Sequence, residues 1–248
     1  VIEEYMAKYV MVLETAKCIN CRACVVACQM ENEVPMGKAR NWIKQAPDDS
    51  PGLRHFQPGN CMHCDDPMCV SACPTGATYK DAADGIVKVN TELCIGCGSC
   101  IAACPYDARY RDPQRGVVDK CNYCPRLRAA GEPPACVSVC PTRVRVFGDA
   151  DNPADPVHAL VKEAGLKQIV AANTNTKPAM FFKGHTVPTD WPQDVTPPLP
   201  MRIWKFAMTP VTSWVGATTL LGIGLVAIRQ LFDRKVHNAG EKESGKEV

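Results

Sequence analysis

All 16 cysteines of this 248-residue chain fall into four groups of four. Group one is Cys18, Cys21, Cys24 and Cys28; group two is Cys61, Cys64, Cys69 and Cys73; group three is Cys94, Cys97, Cys100 and Cys104; group four is Cys121, Cys124, Cys136 and Cys140. Thiolates hold iron, zinc or one another, so spacing has to choose the chemistry. Groups one and three run C-x2-C-x2-C-x3-C, the spacing of iron–sulfur ligation. Three sulfurs three residues apart wrap one cubane, and the fourth, one residue further on, reaches a neighbouring cluster. Groups two and four enlarge one gap, by two residues and by nine. The fourth cysteine is expected at the start of a helix or turn. Proline follows it in three groups (Pro74, Pro105, Pro141), fixing the backbone and removing a competing N–H, whereas Gln29 follows Cys28. Zinc ribbons set two C-x2-C pairs far apart, and disulfide scaffolds are usually much shorter chains, so both fit this pattern less well. Sixteen thiolates at four per cubane make four [4Fe-4S] clusters. Because the fourth sulfur is shared out, the groups must work in pairs, and spacing leaves open which groups pair.

The elements that position these groups read as α+β, with short strands and helices in the manner of bacterial ferredoxin modules. "MAKYVMVLETAKC" leads into group one, "DGIVKVNTELC" into group three, and "RVRVFGD" follows group four, each with strand-like alternation. Such a body needs little apolar core, since metal–ligand bonds hold its loops. "DADNPADPVHALVKEAGLKQ" gives a turn and a short amphipathic helix. The following stretch to Pro200 has five prolines from Pro188 onward and no periodicity. It reads as a linker, either a loose spacer or an arm lying on another subunit through Met180, Phe181, Phe182 and Trp191. Residues 206–228 then run for 23 positions without a charge. That is roughly 34 Å of helix, enough to cross a membrane. Pro210 falls in its first turn; Trp204 and Trp214 suit an interface, although Trp214 equally suits a partner helix. The pairs Ser213/Ala217 and Thr218/Gly222 have small-residue contact spacing. The expected domains are 1–150, a double ferredoxin-like body with two nested modules; 151–200, an extension and Pro-rich arm; 201–232, a transmembrane helix with flanks; and 233–248, a charged tail.

Charge excludes other functions. With 28 basic against 26 acidic residues the net charge is +2, which gives no footing for a nucleic-acid partner. There is no phosphate-cradling glycine loop, no Ser/His/Asp arrangement and no paired-carboxylate motif, so no catalytic residue is expected and no substrate bond is broken here. His63 sits inside group two, but four cysteines already fill that set, so it is expected at the surface or in a hydrogen bond. Arg109, Arg111, Arg126, Arg128, Arg143 and Arg145 crowd groups three and four. They suit three roles: raising reduction potentials, pairing with a partner's carboxylates, or forming a solvated face.

The order of the groups, the stretched fourth group and the phrase "CIGCGSCIAACPYDAR" resemble the four-cluster electron-transfer subunit of respiratory molybdoenzyme complexes over residues 8 to about 150. These include the DMSO, polysulfide, thiosulfate, tetrathionate and nitrate reductases, the formate dehydrogenases and related quinone-reductase complexes. The resemblance implies that groups one and four pair, as do two and three. Cluster 1 then takes Cys18, Cys21, Cys24 and Cys140; cluster 2 takes Cys28, Cys121, Cys124 and Cys136. Cluster 3 takes Cys61, Cys64, Cys69 and Cys104; cluster 4 takes Cys73, Cys94, Cys97 and Cys100. Cluster 1 faces a catalytic subunit and cluster 4 a membrane subunit. Some relatives lack the middle cysteine of group three; Cys97 is present here, so four cubanes are expected. The implied partners are a molybdopterin-type catalytic subunit, an integral membrane quinone-reactive subunit, in some complexes a multihaem cytochrome, and membrane lipid. The function implied is an electron relay between them.

Flanking charges set the expected orientation. Arg202 and Lys205 precede the apolar run, and Arg229, Arg234 and Lys235 follow it. The excess puts the tail in the cytoplasm and the cluster domain in the periplasm, at the inner membrane. No leader precedes Val1, which in this family means export in the company of a signal-bearing catalytic subunit, or a cleaved leader. The competing functions are a membrane-anchored structural zinc protein and a freely diffusing ferredoxin.

Overall fold

The computed structural model describes residues 7–45, 54–171, 174–186 and 214. The chain divides into two units, Val1–Thr196 and Pro197–Val248. The expected membrane helix and charged tail lie outside the described residues, apart from Trp214, which is helical and exposed. The Pro-rich stretch from Pro188 to Pro200, with Trp191, also lies outside them. Among the described residues no helix is long and apolar enough to cross a membrane.

The first unit is the expected α+β body. Its strands are β1 (Tyr9–Glu14), β2 (Asn41–Gln45), β3 (Phe56–Asn60), β4 (Thr78–Lys80), β5 (Val87–Val89), β6 (Tyr110–Arg111), β7 (Val118–Asp119), β8 (Arg145–Asp149) and β9 (Met180–Lys183). Its helices are α1 (Ala23–Glu31), α2 (Met68–Ser71), α3 (Ser99–Ala102), α4 (Pro125–Ala129), α5 (Ala135–Ser138) and α6 (Pro156–Leu160). Three hairpin-like pairs, β2–β3, β4–β5 and β6–β7, are antiparallel. A three-stranded sheet runs β8-β1-β9, with β8 antiparallel and β9 parallel to the centre. Val10, Met11, Val12 and Leu13 of β1 are all buried, so this strand is covered on both faces instead of alternating. Met11 and Leu13 join Met62, Ile86, Tyr123 and Phe182 in the main core; Val10 packs with Val157 of α6 on the other face.

The strand β9 corrects the reading of Met180, Phe181 and Phe182 as contacts for another subunit. Met180 and Phe182 are fully buried within this chain's own core. Phe182 exchanges backbone hydrogen bonds with Lys167, at 2.8 and 2.9 Å, and Ala179 N–H donates to Met62 O at 2.9 Å. Further along, Asp65 and Asp66 N–H donate to Lys177 and Thr176 carbonyls at 2.8 and 3.0 Å. The physical reason is the open edge of β1: an extended segment with apolar residues at alternate positions satisfies its backbone groups and covers its side chains together.

Helices carry the cysteine groups in a common way. The third cysteine of each group lies in a helix (Cys24 in α1, Cys69 in α2, Cys100 in α3, Cys136 in α5), and the fourth comes four residues later. The fourth cysteine is therefore at or beyond the last turn of that helix, and in groups two, three and four it opens a turn as expected, its carbonyl accepting from Gly76, Asp107 and Arg143 N–H at 3.5, 3.2 and 3.2 Å; none stands at a helix start. Proline explains the difference between groups, since it biases the residue before it out of the helical region. Helices α2, α3 and α5 stop two residues before that cysteine, while α1, with Gln29 in proline's place, continues to Glu31. The nine extra residues of group four form α4, of five residues, and the turn and loop that follow it. Helix α1 packs on α5, and α2 on α3, which brings group one beside group four and group two beside group three.

Candidate metal centres

Three cavities open in this body, and each is ringed by four cysteines. Cys18, Cys21, Cys24 and Cys140 line the first, with about 310 Å3 of empty space partly open to solvent. Cys28, Cys121, Cys124 and Cys136 line the second, of about 260 Å3. Cys61, Cys64, Cys69 and Cys104 line the third, of about 310 Å3. Cys73, Cys94, Cys97 and Cys100 are left. Cys94 and Cys97 lie in the loop that leads into α3, which carries Cys100, and Cys73 is close enough to Cys97 for their charges to interact. This last set has Cys97 exposed and Cys100 buried, as the first has Cys21 exposed and Cys24 buried.

The cavities suit a group of several atoms. Among the described residues no three His, Cys, Asp or Glu side chains stand close enough to hold one metal ion. A zinc ion needs its sulfurs at about 2.3 Å. Four thiols disposed around a void, by contrast, leave room for a cluster between them.

Donors reach the sulfurs from several elements. Thr78 N–H in β4 donates to Cys73 Sγ at 3.3 Å and Val118 N–H in β7 to Cys94 Sγ at 3.4 Å. Val144 N–H donates to Cys140 Sγ at 3.3 Å. Asn32, which follows α1, donates through Nδ2 to Cys28 Sγ at 3.7 Å and Cys124 Sγ at 3.5 Å. Arg109 donates to Cys69 Sγ at 2.9 Å. These donors favour the thiolate form, whereas burial opposes it. Burial pushes Cys28 up to about 12, with Cys136 and Cys124 adding to the rise. It pushes Cys104 up to about 12 as well. At Cys73 and Cys140 burial is outweighed by hydrogen bonds from Thr78 and Val144, and both thiols are held below the usual value. At Cys97 the Ser99 hydroxyl has the same effect. Metal binding at the buried positions thus releases protons.

Among the described residues four buried cations accompany the cavities: Arg40, which lines the second and is paired with Asp119, and three more. Arg145 lines the first and is 3 % exposed. Arg109 lines the third and is 4 % exposed. Lys120 is buried and donates to the carbonyls of Cys121, at 2.6 Å, and Val87. Burial depresses its pKa, and the adjacent Cys61 and Cys121 partly restore it. An isolated buried cation is costly, so anionic partners nearby are what make three of them tolerable. The other arginines differ. Arg126 pairs with Glu31 at the surface, at 2.8 Å, and Arg111 and Arg143 are exposed. Arg128 lies over the Tyr9 ring at 4.9 Å.

His63 is completely buried, which removes the surface role and keeps the hydrogen-bonding one. Its Nδ1 accepts from Val87 N–H at 3.1 Å, and its ring lies 4.0 Å from that of Tyr123. Burial and the charge of Lys120 hold its pKa well below the usual value, so the ring is neutral with its proton on Nε2. Sequence reasoning missed Asn32, Arg40, Asn41, Asn60, Lys120 and Thr176. Arg40 makes a bidentate, buried pair with Asp119, at 2.9 and 2.8 Å, and also holds Asn32 and Asn122. Asn41 Nδ2 donates to Cys24 O at 2.9 Å. Thr176 lines the third cavity and shares a 2.9 Å hydrogen bond with Tyr106.

Comparison with known proteins follows the same lines. Residues 54–150 match one 4Fe-4S dicluster domain family and residues 17–77 another. The chain is 51 % identical over 150 residues to the thiosulfate reductase electron transfer subunit of Salmonella typhi, an overlap of 58 % of this chain and 78 % of that protein. It is 42 % identical over 182 residues to the B subunit of the polysulfide reductase of Wolinella succinogenes, covering 71 % and 93 %. It is 41 % identical over 178 residues to protein NrfC of Escherichia coli, covering 70 % and 79 %.

Proposed function

This chain belongs to the iron–sulfur electron-transfer subunits of molybdoenzyme-type reductase complexes, and from that premise we propose that it holds four [4Fe-4S] clusters in a line and relays single electrons along them. It is an electron-transfer subunit and not the catalytic one. The ligand sets are those implied by the family resemblance: Cys18, Cys21, Cys24 and Cys140; Cys28, Cys121, Cys124 and Cys136; Cys61, Cys64, Cys69 and Cys104; and Cys73, Cys94, Cys97 and Cys100. The observation that carries this reading is that three cavities each gather four cysteines from two different groups.

Each cluster, when bound, supplies a site that gains or loses one electron. The chain's own residues do the rest. Charge interactions between thiols of successive sets support the linear order: Cys24 with Cys136, Cys121 with Cys61, and Cys69 with Cys100. Arg109, Lys120 and Arg145 offset negative charge, and Asn32, Thr78, Val118 and Val144 donate to sulfur. Met11, Met62, Tyr106 and Tyr123 keep water from the inner sets.

The arrangement extends to the rest of the chain. Residues 1–150 carry the double ferredoxin-like modules, the extension after them returns as β9 to complete their sheet, the Pro-rich stretch from Pro188 to Pro200 is a linker, 201–232 a transmembrane helix and 233–248 a cytoplasmic tail. The 23 uncharged residues from 206 and the basic residues after them support an inner-membrane location with the clusters on the periplasmic side. The partners are a molybdopterin-type catalytic subunit next to cluster 1 and a quinone-reactive membrane subunit next to cluster 4. The zinc reading is less well supported, because zinc ribbons set two C-x2-C pairs far apart, whereas groups one and three place a third cysteine three residues on.

Metal analysis of the complex purified without oxygen tests the proposal. About sixteen irons and as many acid-labile sulfides per chain are expected from four cubanes, with a brown colour that dithionite bleaches. A colourless protein holding zinc, or an iron content near half that, sinks it.

A further inference from the structure

Asn60 ends β3 and directly precedes Cys61, a ligand of the third set. It is buried, and it also lines the second cavity. In its side-chain amide Oδ1 accepts from Arg145 at 2.8 Å, and Nδ2 donates to Cys61 O at 3.0 Å and to Cys121 Sγ at 3.7 Å. Arginine can only donate, so the orientation of the amide is fixed: oxygen toward Arg145, N–H toward sulfur.

We infer that Asn60 is a positioning residue for the step between the second and third clusters, tying a sulfur of one to the backbone of a ligand of the other and setting the potential of the second. The inference rests on the ligand sets proposed above and deepens them. Two physical effects combine. A charged donor on Oδ1 polarises the amide, so its N–H is a stronger donor than a free carboxamide would be. A hydrogen bond to a cluster sulfur stabilises the reduced, more negative state and raises the potential. The contact also gives a continuous path from Cys121 Sγ across one hydrogen bond and then along covalent bonds to Cys61. In this step one electron leaves one cluster and enters the next, with no bond broken and no proton required.

The geometry around the amide keeps it in place. Asn60 pairs in register with Asn41, and Gly59 with Trp42, across β2–β3. The Trp42 ring lies against Gly59 so closely that a Cβ there would come 2.6 Å from Nε1. That contact pins the end of the hairpin beside both sets of cysteines.

The test uses Asn60→Asp and Asn60→Leu in the intact complex, with iron counted first and each cluster's midpoint then followed by EPR during a redox titration. Asn60→Asp keeps the acceptor for Arg145 and replaces the N–H donor with a second oxygen. The expected result is full iron, with one midpoint lowered by at least a tenfold change in the oxidised-to-reduced ratio, or about 59 mV for a one-electron couple, and the other three unchanged. Electron passage along the chain should slow at least tenfold. Full iron with all four midpoints unmoved in both variants overturns the inference; so does loss of iron from Asn60→Asp, which would make the amide a brace and nothing more. If Asn60→Leu alone loses iron, the Asn60→Asp midpoint decides. A wild-type chain with far fewer than sixteen irons refutes the ligand sets instead, and is seen before any variant is titrated.

Discussion

Arg109 is buried and reaches Cys69 with a hydrogen bond and a full charge. Replacing it by glutamine leaves a neutral donor of shorter reach. Arg109→Gln should lower the midpoint of the cluster on Cys69 by tens of millivolts, about 60 mV for each tenfold change in the one-electron ratio, as read by EPR titration. An unchanged midpoint would assign Arg109 to packing alone. Sequence offers Arg109 among six arginines with nothing to separate them. The structure separates them by direction: Arg145 points into the body and Arg143, two residues earlier and also near Cys140, is exposed. Asparagine is harder to read. Asn32 and Asn60 stand close to cysteines, but asparagine near a loop is the ordinary turn residue, and only the fold shows its amide aimed at sulfur. The cysteines are legible because their spacing is itself a geometric statement about a compact inorganic group.

Among the elements, β9 departs most from expectation. Sequence presents Met180 and Phe182 as apolar contacts for some other subunit, and the apolar docking is real, but its partner is β1 of the same chain. Four residues are too few for periodicity to stand out after Pro178, and a parallel pairing across so long a stretch of chain leaves no local signature. Phe182→Ala should cost about 3–5 kcal/mol, as for other buried aromatic truncations, and shift the denaturant midpoint of the cluster-loaded protein accordingly. A shift under about 1 kcal/mol would mean that β9 is a removable flap. The strands on either side of the cysteines are legible for the opposite reason. Tyr9–Glu14, Val87–Val89 and Arg145–Asp149 fall inside the segments that the alternation picks out.

For the molecule as a whole, metal replaces much of what a hydrophobic core would do. The main core contains Cys24, Cys61, Cys64, Cys121 and Cys136 beside its methionines and tyrosines. Without clusters, the space between the thiols of each set is unfilled and the negative charge that Arg109, Lys120 and Arg145 offset is lost. Stripping iron with an oxidant and chelator should therefore unfold residues 7–186 in one transition, followed by far-UV circular dichroism against iron content. Retention of most secondary structure after complete iron loss would contradict this.

The nesting of the groups has a consequence for biogenesis. Cys61 to Cys104 leave the ribosome as one contiguous stretch, so the inner pair can be closed while the chain is still growing. On the ligand sets proposed above, Cys18 waits for Cys140, on the order of ten seconds at ~5–20 residues per second, and through that interval Cys18, Cys21, Cys24 and Cys28 are nascent thiols without their counterparts. A ribosome stalled before Cys121 carries a polypeptide that can complete its inner half and never its outer one.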